Sequence, residues 1–360
     1  MTINAYTITN ASLRFLDGLE GRAAEGARFL DVVVSECRSI HPGSWSPLAY
    51  AAEVKADHFK IHLNRPSNAQ QFRVDVHFEG QAGLEILAAW KDPLDVQTVR
   101  QHLKARSATF LGCARQCADR LDESLQKIAS LGSLFGQFQV LVFENDSSDG
   151  TLAKLQEWAT RIPLVIIDRQ GLADVMPQRT ARLALARNVL LDRSRAYACT
   201  YTIWADLDGV IDADYPSEEG FLSSFRLDNC WDAVFPVNDG IYYDVYALRH
   251  PVICPDDYTT LGRKLDASLG LKLGVHFAAS HIQIDLRELA GWLPVDSAFG
   301  GMGIYKSPAF QGTRYVGTCD AQETCEHVSV HRQMRDQGLR LYLNPQFIVR
   351  SHGKPGPQPD

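Results

Sequence analysis

Residues 201–209 constrain the fold of this chain more than any other stretch, because they read as a strand that ends abruptly in two carboxylates and a glycine. Residues 201–205 are β-branched, aromatic or small, which suits a central strand covered on both faces. Asp206 and Asp208 are two positions apart, so in an extended chain both side chains point the same way. Two neighbouring anions are unfavourable unless a cation lies beside them, and a divalent metal is the usual partner. Since ligands in open α/β sheets bind beyond the carboxyl ends of the strands, this stretch is the predicted reaction centre.

The composition is typical of a soluble globular protein and excludes several classes. The 360 residues, 45% hydrophobic and 22% charged, are enough for about two domains. The net charge of −7 argues against a general nucleic-acid binder, because no excess of Lys and Arg is available to neutralise phosphates. Neither a signal peptide nor a membrane-spanning run of apolar residues is expected. The eight cysteines form no CxxC pair, which disfavours structural zinc and favours the reducing cytoplasm.

Residues 1–105 are predicted to form a small α+β accessory domain of unknown role. A helix is expected near residues 23–37, before a break that contains Pro, Gly and Ser. Segments 59–63, 72–78 and 84–87 alternate between apolar and polar side chains, which predicts an antiparallel meander with one solvated face. Acceptor binding, oligomerisation and a structural role all stay open for this domain.

Residues 106–360 are predicted to form an α/β catalytic domain, because apolar strand patterns alternate with amphipathic helix patterns from residue 108 onwards. The predicted strands are 109–113, 139–143, 163–168 and 201–205, and the predicted helices between them are 115–134, 152–161 and 179–193. This alternation indicates right-handed βαβ units and a mostly parallel, Rossmann-like sheet flanked by helices. After Gly209 the regularity gives way to longer loops, which suits a substrate-binding half.

A second acidic stretch, residues 144–151, follows the second of these strands. Asn, Asp and Ser are common turn and helix-cap residues, so a well-capped helix start is one interpretation. Three acids beside the carboxyl end of a strand also suit hydrogen bonding to the base and ribose of a nucleotide. The combination of this turn with the Asp-Leu-Asp of residues 206–208, two strands later, is more specific than either motif alone.

Together these motifs resemble those of the nucleotide-sugar-dependent glycosyltransferases of the GT-A fold, over roughly residues 108–352. Residues 144–151 are similar to the nucleoside-binding turn of that family, and the Ala-Arg-Asn of residues 186–188 is similar to a helix motif that often precedes its metal motif. Residues 206–208 resemble the DXD motif, which holds Mn²⁺ or Mg²⁺ against the diphosphate. Residues 325–345 resemble the acidic motif, helix, glycine and strand that end the catalytic domain.

Within the GT-A fold, the chain is most similar to the capsule-associated α-mannosyltransferase-type families. That narrower resemblance rests on Glu144-Asn145 and on residues 299–305. It implies transfer of a hexose, with mannose as a candidate, from a GDP- or UDP-linked donor to a saccharide or glycoconjugate acceptor. It also implies a cytoplasmic protein, with association at the inner face of the membrane as one setting.

The resemblance implies roles for individual residues. Donor binding is assigned to acidic, amide and guanidinium side chains, namely Glu144, Asn145, Asp146, Asp149, Arg187, Asn188 and Asp206. The metal ligands are Asp208, Asp206 and His352. Asp206 is alternatively the residue that binds the ribose, and His352 is alternatively a partly exposed histidine of the C-terminal tail. Acceptor binding is assigned to Gly300, Gly301, Tyr243 and His327. Each has a plainer interpretation: the two glycines as a tight loop, Tyr243 as a core aromatic residue, and His327 as a histidine whose hydrogen bonds are satisfied.

The catalytic base is assigned by the same resemblance to Glu326. The family commonly carries a Glu-Asp pair at this position, and here His327 takes the second place. This departure leaves open whether Glu326, another acid such as Asp296, or no base at all serves the reaction. A base must lie within hydrogen-bond reach of the proton that it removes, which a sequence does not show.

Two rival functions follow from the same residues. Residues 206–211 also resemble the motif of haloacid dehalogenase-like phosphatases, in which Asp206 would be a covalent nucleophile beside Mg²⁺, with Asp257 and Lys264 among its later motifs. The order of elements argues against this function, because three βα units precede the strand and leave the turn at 144–151 unexplained. A catalytically inactive sugar- or nucleotide-binding module is disfavoured because both carboxylates are present.

Overall fold

The structure, a computed structural model, describes residues 2–10, 14–23, 28–37, 45–50, 53–54, 58–79, 84–270, 273–289, 291–319 and 322–351. The chain divides into two compact units. The first comprises residues 1–94 together with 226–230 and 288–293, and the second comprises residues 95–225, 231–287 and 294–360.

The first unit is built from strands over the residues that the structure describes. These strands are Thr2–Thr9 (β1), Phe15–Ala23 (β2), Arg28–Cys37 (β3), Ser46–Tyr50 (β4), Glu53–Val54 (β5), His58–Ser67 (β6), Gln71–Glu79 (β7) and Leu84–Lys91 (β8). They form two antiparallel sheets in the orders β1-β7-β3-β4 and β5-β6-β2-β8. Side chains from both sheets, including Val32, Phe59 and Phe72, share one buried apolar cluster.

Two sequence predictions for this unit are wrong. The helix expected near residues 23–37 is the strand β3, in which the β-branched run Val32-Val33-Val34 favours extended backbone and Val32 and Val34 are fully buried. The meander is also wrong, because β7 pairs with β1 and β3 whereas β6 and β8 both flank β2. Alternation identifies a strand but not its partners. The described residues of this unit thus form two antiparallel β-sheets, and the predicted domain of residues 1–105 also includes the helix Val96–Lys104.

The second unit contains the helices and the larger sheet. Its described helices are Val96–Lys104 (α1), Leu121–Gly132 (α2), Thr151–Trp158 (α3), Leu172–Val175 (α4), Arg179–Ser194 (α5), Glu218–Ser223 (α6), Tyr258–Leu269 (α7), Gly274–Ser280 (α8) and Glu326–Asp336 (α9). The remaining described strands are Ser107–Ala114 (β9), Gln137–Glu144 (β10), Leu164–Asp168 (β11), Tyr201–Ala205 (β12), Ala233–Asn238 (β13), Leu293–Pro294 (β14), Met302–Lys306 (β15), Thr318–Cys319 (β16), Gln322–Glu323 (β17) and Leu341–Val349 (β18).

Eight of these strands form one sheet, in the order β11-β10-β9-β12-β15-β13-β18-β14 within the described chain. Strands β11, β10, β9 and β12 are mutually parallel, and β13 is parallel to β18. Strand β15 runs antiparallel to its neighbours β12 and β13. Helices α2 and α5 pack against β9 and β10. The predicted α/β fold class, with a mostly parallel sheet flanked by helices, is therefore confirmed.

The parallel strands end together at one edge of the sheet. Glu144, the last residue of β10, lies opposite Ala114, the last residue of β9, and Trp204 of β12 lies opposite Leu111 of β9. The turn after β10 and the carboxylates after β12 therefore leave the sheet on the same side, as predicted. Among the described residues, no helix combines the length and the apolar character needed to cross a membrane.

Candidate functional site

The reaction centre begins where the fully buried strand β12 ends. Leu207 is 1% exposed and turns into the core, whereas Asp206 is partly exposed and Asp208 is exposed. The backbone N–H of Asp206 donates to the carbonyl oxygen of Gly301 over 2.8 Å, which fixes the direction of the chain at this point. The alternation of a strand thus continues for three residues and presents both carboxylates at the sheet edge.

A buried arginine connects this centre to a later part of the chain. Arg187 of α5 is 4% exposed. Its Nε donates to Oε1 of Glu326 over 3.0 Å, and its Nη2 lies 3.6 Å from Oδ1 of Asp206. Three aromatic rings surround the guanidinium, with centroids 4.8, 5.1 and 5.8 Å from its central carbon, namely Trp204, Phe299 and Tyr315. Because a buried charge is tolerated only when paired, the arginine and its two acids form one interdependent unit.

Glu326 is the first residue of α9 and is 4% exposed. The N-terminus of a helix favours a negative side chain, and the Arg187 guanidinium supplies the opposing charge. The structure therefore brings together Asp206, Arg187 and Glu326, three of the residues predicted to form the site.

His327 lies beside this unit but inside the protein. Its ring stacks on Phe299 at a centroid distance of 3.8 Å, and its Nε2 lies 3.8 Å from Oε1 of Glu326. Within the described chain, neither ring nitrogen has a hydrogen-bond partner. Burial, reinforced by Arg187 and His331, holds the pKa of His327 well below its ordinary value, so the ring is neutral. The ring is held against Phe299 and Tyr315 beside Glu326, which is a packing position, and the acceptor contact of His327 stays a prediction.

His331, one turn further along α9, is a satisfied core residue. Its Nδ1 lies 2.8 Å from Oγ of Ser297, and its Nε2 lies 2.7 Å from Oη of Tyr305. Burial and the nearby Arg187 lower its pKa to about 3. His327 and His331, four residues apart on α9, therefore both pack in the core.

The acidic side chains of the turn after β10 stabilise the turn by accepting hydrogen bonds from it and from neighbouring loops. Glu144 is fully buried and accepts hydrogen bonds from the backbone N–H of Ser147 and from Nε2 of Gln170, both over 2.9 Å. Asp149 accepts from the backbone N–H of Ala118 over 2.9 Å and from Oγ1 of Thr151 over 2.7 Å. These bonds tie the loops after β9 and β10 together.

Asp146 organises the next loop along the sheet edge. Its backbone has a φ of +57°, a left-handed conformation that Asp tolerates better than most residues. Its carboxylate accepts from the backbone N–H groups of Gly171, Leu172 and Ala173 over 2.5, 3.2 and 2.9 Å, at the start of α4. Its neighbour Asn145 donates to the same carboxylate over 2.9 Å. The carboxylates of Asp146 and Asp149 thus bind the starts of nearby helices, as the helix-cap interpretation of this turn predicts.

Asn188 follows Arg187 on α5 and fastens one of the aromatic rings around it. Its side-chain Nδ2 donates to the carbonyl oxygen of Tyr315 over 2.9 Å, and its Oδ1 accepts from the N–H of the same residue over 3.0 Å. The amide is thus engaged with backbone, and its direct effect is to position Tyr315 against the guanidinium.

Two glycines enter the site from the opposite direction, just before β15. Gly300 and Gly301 have φ values of +68° and +94°. A Cβ at Gly301 would lie 2.7 Å from Cγ2 of Val210 and 3.1 Å from Oη of Tyr243, so only glycine fits there. The structure therefore places Gly301 and Tyr243 together beside the segment that follows Asp208.

Asp244, which follows Tyr243, is a site residue whose acidity the sequence does not reveal. Its Oδ2 accepts from the backbone N–H of Gly300 over 2.9 Å. Burial is the main cause that raises its pKa to about 6, and the charge of Glu326 adds to it. A carboxyl group that titrates near neutrality, beside two glycines at a sheet edge, is a common feature of functional sites.

The remaining predicted residues lie elsewhere. The carboxylate of Asp296 is 46% exposed, and its Oδ1 lies 3.3 Å from Nε of Arg335 on the outward part of α9. His352 falls outside the described residues. The chain reaches residue 351 close to the reaction centre, because the N–H of Arg350 donates to the carbonyl oxygen of Val210 over 2.9 Å.

A divalent cation fits the residues at this edge if the substrate completes its coordination. The described residues contain no group of three or more His, Cys, Asp and Glu side chains able to hold an ion by themselves. Asp206 and Asp208 supply two carboxylates after one strand, which is the usual protein share of a Mg²⁺ site whose other ligands are phosphate oxygens and water.

The aromatic surroundings of Arg187 were not predicted. Trp204, Phe299 and Tyr315 come from three separate segments of the chain, and the sequence carries no signal that joins them. The strand position of Trp204 predicts burial only. Trp231, on a different segment, is also fully buried in the core.

Comparison with known proteins gives no family. No family model matches the chain, and no curated protein matches it either. Among solved structures, the chain is similar to the mannosyltransferase PcManGT from Pyrobaculum calidifontis in complex with GDP-Man and Mn²⁺, at 16% identity and a TM-score of 0.43, over 71% of this chain and 63% of that one. It is similar to TarS from S. aureus in complex with UDP, at 10% identity and a TM-score of 0.39, over 68% of this chain and 59% of that one.

A third similar structure is the glucosyl-3-phosphoglycerate synthase from Mycobacterium tuberculosis in complex with Mn²⁺, UDP and phosphoglyceric acid. The identity is 13% and the TM-score 0.43, over 75% of this chain and 77% of that one. The chain covers less than two thirds of the mannosyltransferase and of TarS. The residues of the site themselves therefore carry the functional argument.

Proposed function

We propose that this chain is a metal-dependent glycosyltransferase that moves a hexose from a nucleotide diphosphate sugar to a saccharide or glycoconjugate acceptor. One observation carries the proposal: Arg187 joins Asp206, at the end of the central strand, to the buried Glu326. This geometry combines an acidic metal motif with a second, separately held carboxylate at the edge where ligands of open α/β sheets bind.

The departing nucleoside diphosphate would develop negative charge. Asp206 and Asp208, with His352 as a further predicted ligand, would hold a divalent cation, which would supply electrostatic stabilisation. The side chains of this protein do the positioning. Asp206 is fixed by its backbone bond to Gly301 and by the nearby guanidinium of Arg187. Because Arg187 already pairs with two acids, its predicted part in donor binding is secondary to its role in holding them.

Glu326 is the proposed base. Arg187 holds Oε1 and leaves Oε2 as the oxygen able to accept a proton from an acceptor hydroxyl. The neutral ring of His327 lies beside the same carboxylate, with its Nε2 3.8 Å from Oε1. Asp296 is the weaker candidate, since its carboxylate faces Arg335. Gly300, Gly301 and Tyr243 are the proposed acceptor contacts, because the carbonyl oxygen of Gly301 accepts the N–H of Asp206 and Oη of Tyr243 lies beside the same glycine.

The turn at residues 144–151 is the proposed seat of the donor nucleoside. Its acids are engaged in the turn, but a carboxylate offers about four lone-pair sites. Glu144 uses two of these for the bonds described above and keeps acceptor capacity, and Asp149 uses three. Asp146 accepts four hydrogen bonds, so its proposed part in donor binding is to shape the turn. The donor is proposed to be GDP- or UDP-linked, with mannose as the candidate hexose and Mn²⁺ or Mg²⁺ as the ion, on the resemblance of the motifs.

The phosphatase function is not favoured. Asp257, one of the acids that it would require, accepts the N–H of Thr259 over 2.8 Å as the cap of α7 and lies near Arg249. Lys264 is exposed on the same helix. Three strands of the sheet, β9, β10 and β11, precede β12 along the chain.

The test is thermal stabilisation by nucleotide diphosphates and their sugars, with and without Mn²⁺. A ligand that binds only the folded state raises the melting temperature by mass action. We expect a metal-dependent shift with one nucleotide in the wild-type protein, and loss of that shift and of transfer in Asp208→Asn. Asp336→Asn, which removes another exposed carboxylate at the end of α9, is the matched control. Full transfer by Asp208→Asn contradicts the proposal, and release of phosphate from an ester with Mg²⁺ but no nucleotide shift supports the phosphatase.

A further inference from the structure

Asp244 carries a charge that its contacts within the protein do not require. The loop after β13 is fastened to the segment before β15 by two side chains. Oη of Tyr242 accepts the N–H of Phe299 over 3.3 Å, and Oδ2 of Asp244 accepts the N–H of Gly300 over 2.9 Å. An Asn side chain would accept the same N–H without a charge. The carboxylate of Asp244 therefore needs an explanation other than the fastening of this loop.

The charge of Asp244 is unfavourable to the fold at neutral pH. Burial is the main cause that raises its pKa to about 6, and the charge of Glu326 adds to it. The positive charge of Arg187 lowers this pKa, but its guanidinium forms its ion pairs with Asp206 and Glu326 instead. Residues that cost stability without a structural need are typical of binding and catalytic sites.

Asp244 adjoins both acidic parts of the reaction centre. The charge of Glu326, the proposed base, acts on it from one part. Burial holds the pKa of its neighbour Tyr243 well above the ordinary value, and so do three nearby carboxylates, those of Asp244, Asp206 and Asp208. The loop that carries Tyr243 and Asp244 therefore lies near the Asp-Leu-Asp motif as well. Asp244 is also partly exposed, so a ligand can reach it.

The charges at this edge of the sheet indicate what Asp244 can bind. Under the proposed function, a divalent cation would offset Asp206 and Asp208, and Arg187 offsets Glu326. The charge of Asp244 then stays unbalanced, and the diphosphate of the donor would add further negative charge. A carboxylate in this setting accepts hydrogen bonds from hydroxyl groups and repels phosphate and carboxylate groups.

We propose that Asp244 binds a hydroxyl group of the acceptor next to the one that reacts, and that it thereby selects an uncharged saccharide over an anionic one. A hydroxyl group donates a stronger hydrogen bond to a carboxylate than to a neutral oxygen, whereas a second anion at this position is repelled. This inference rests on the proposed function and extends it to the charge of the acceptor. Glu326 stays the proposed base, and Asp244 is a binding and specificity residue.

The experiment measures nucleotide release by the full chain with the methyl glycosides of glucose, mannose and galactose and with the corresponding methyl uronides. Each uronide differs from its glycoside by a carboxylate in place of a hydroxymethyl group. We expect Asp244→Asn to raise the KM for the neutral glycosides about tenfold at pH 7.5, to leave the donor KM unchanged, and to weaken the preference for neutral acceptors. Asp256→Asn, which removes an exposed carboxylate between β13 and α7, is the matched control and should behave as the wild type does.

Two results would overturn this inference alone. The first is an acceptor KM that Asp244→Ala raises and Asp244→Asn leaves unchanged, because Asn keeps the bond to Gly300 and only the fastening of the loop would then matter. The second is a wild type that transfers to the uronides in preference to the neutral glycosides. A wild type without a metal-dependent thermal shift for any nucleotide would instead overturn the proposed function, and this inference with it. Circular dichroism of each variant confirms that it is folded.

Discussion

Nε of Arg187 donates a 3.0 Å hydrogen bond to Oε1 of Glu326, and both side chains are 5% exposed. This bond joins helix α5 to helix α9 at the point where Asp206 leaves the sheet. Burial makes each partner dependent on the other, because removing one leaves an uncompensated charge in the interior.

Replacing Arg187 should therefore affect folding as well as activity. We expect Arg187→Met to lower the free energy of unfolding by roughly 3–5 kcal/mol, since it leaves the carboxylate of Glu326 buried without its partner. Urea unfolding followed by circular dichroism measures this change. Arg179→Met, at an exposed position on the same helix, should unfold as the wild type does.

The double variant Arg187→Met, Glu326→Gln separates charge from function. We expect it to recover part of the lost stability, because the unpaired charge is gone, yet to lose about 100-fold or more in kcat/KM for sugar transfer. Equal instability of the single and double variants would show that the arginine acts through packing against its three aromatic neighbours instead.

Because Gly301 packs closely against Val210, replacing it with alanine should destabilise the fold more than the same replacement at Gly312. Gly301→Ala places a Cβ 2.7 Å from Val210 and forces an alanine to a φ of +94°. Gly312→Ala forces a similar φ of +72° with nothing within 4 Å of the new Cβ, so it measures the backbone term alone. We expect about 1–2 kcal/mol of destabilisation at Gly312 and more at Gly301, measured by denaturant unfolding. Equal destabilisation at both positions would mean that Val210 yields without cost.

The raised pKa of Asp244 predicts the pH dependence of stability. Its pKa is about 6 in the folded protein and near its ordinary value of 3.8 when unfolded, so the folded state binds the proton more tightly. This group therefore makes folding less favourable as the pH rises from about 4 to about 6, and the loss persists above that range. We expect Asp244→Asn to melt a few degrees above the wild type at pH 7.5, and the difference to vanish near pH 4.

Melting curves in metal-free buffer, collected from pH 4 to pH 8, measure this effect. Asn keeps an oxygen able to accept the N–H of Gly300, so the loop bond of 2.9 Å survives the substitution. A lower melting temperature of Asp244→Asn at pH 7.5 would show that the carboxylate is stabilised as an anion.

Asn188 offers a test of positioning without contact to substrate. Asn188→Ala removes two hydrogen bonds to the backbone of Tyr315 and frees the ring that flanks Arg187. We expect about 1–2 kcal/mol of destabilisation and a fall in kcat with little change in the KM for the donor. A rise in the donor KM at constant kcat would instead support direct donor binding by Asn188.

The sequence predicts the positions of strands and helices in the second unit better than it predicts which distant residues contact each other. Strand β12 coincides with the predicted residues 201–205, because a β-branched and aromatic run bounded by acids has few other conformations. Strand β3 was predicted as a helix, since its burial pattern is set by two facing sheets and not by a period of its own. Hydrogen-bonding roles were also hidden: the sequence places Asp146 in a turn, but only the fold brings it to the start of α4.

The antiparallel strand β15 has a consequence for how such a site can change over time. Because β15 starts where β12 ends, one backbone bond, from the N–H of Asp206 to the carbonyl of Gly301, joins residues that precede position 209 to residues that follow position 298. Under the proposed function, the earlier segment holds the donor, and the later one holds the base and two of the acceptor contacts, Gly300 and Gly301. Substitutions that alter one substrate preference can therefore accumulate on their own side of this bond, while the pairing of β12 with β15 keeps the two segments in register for the reaction.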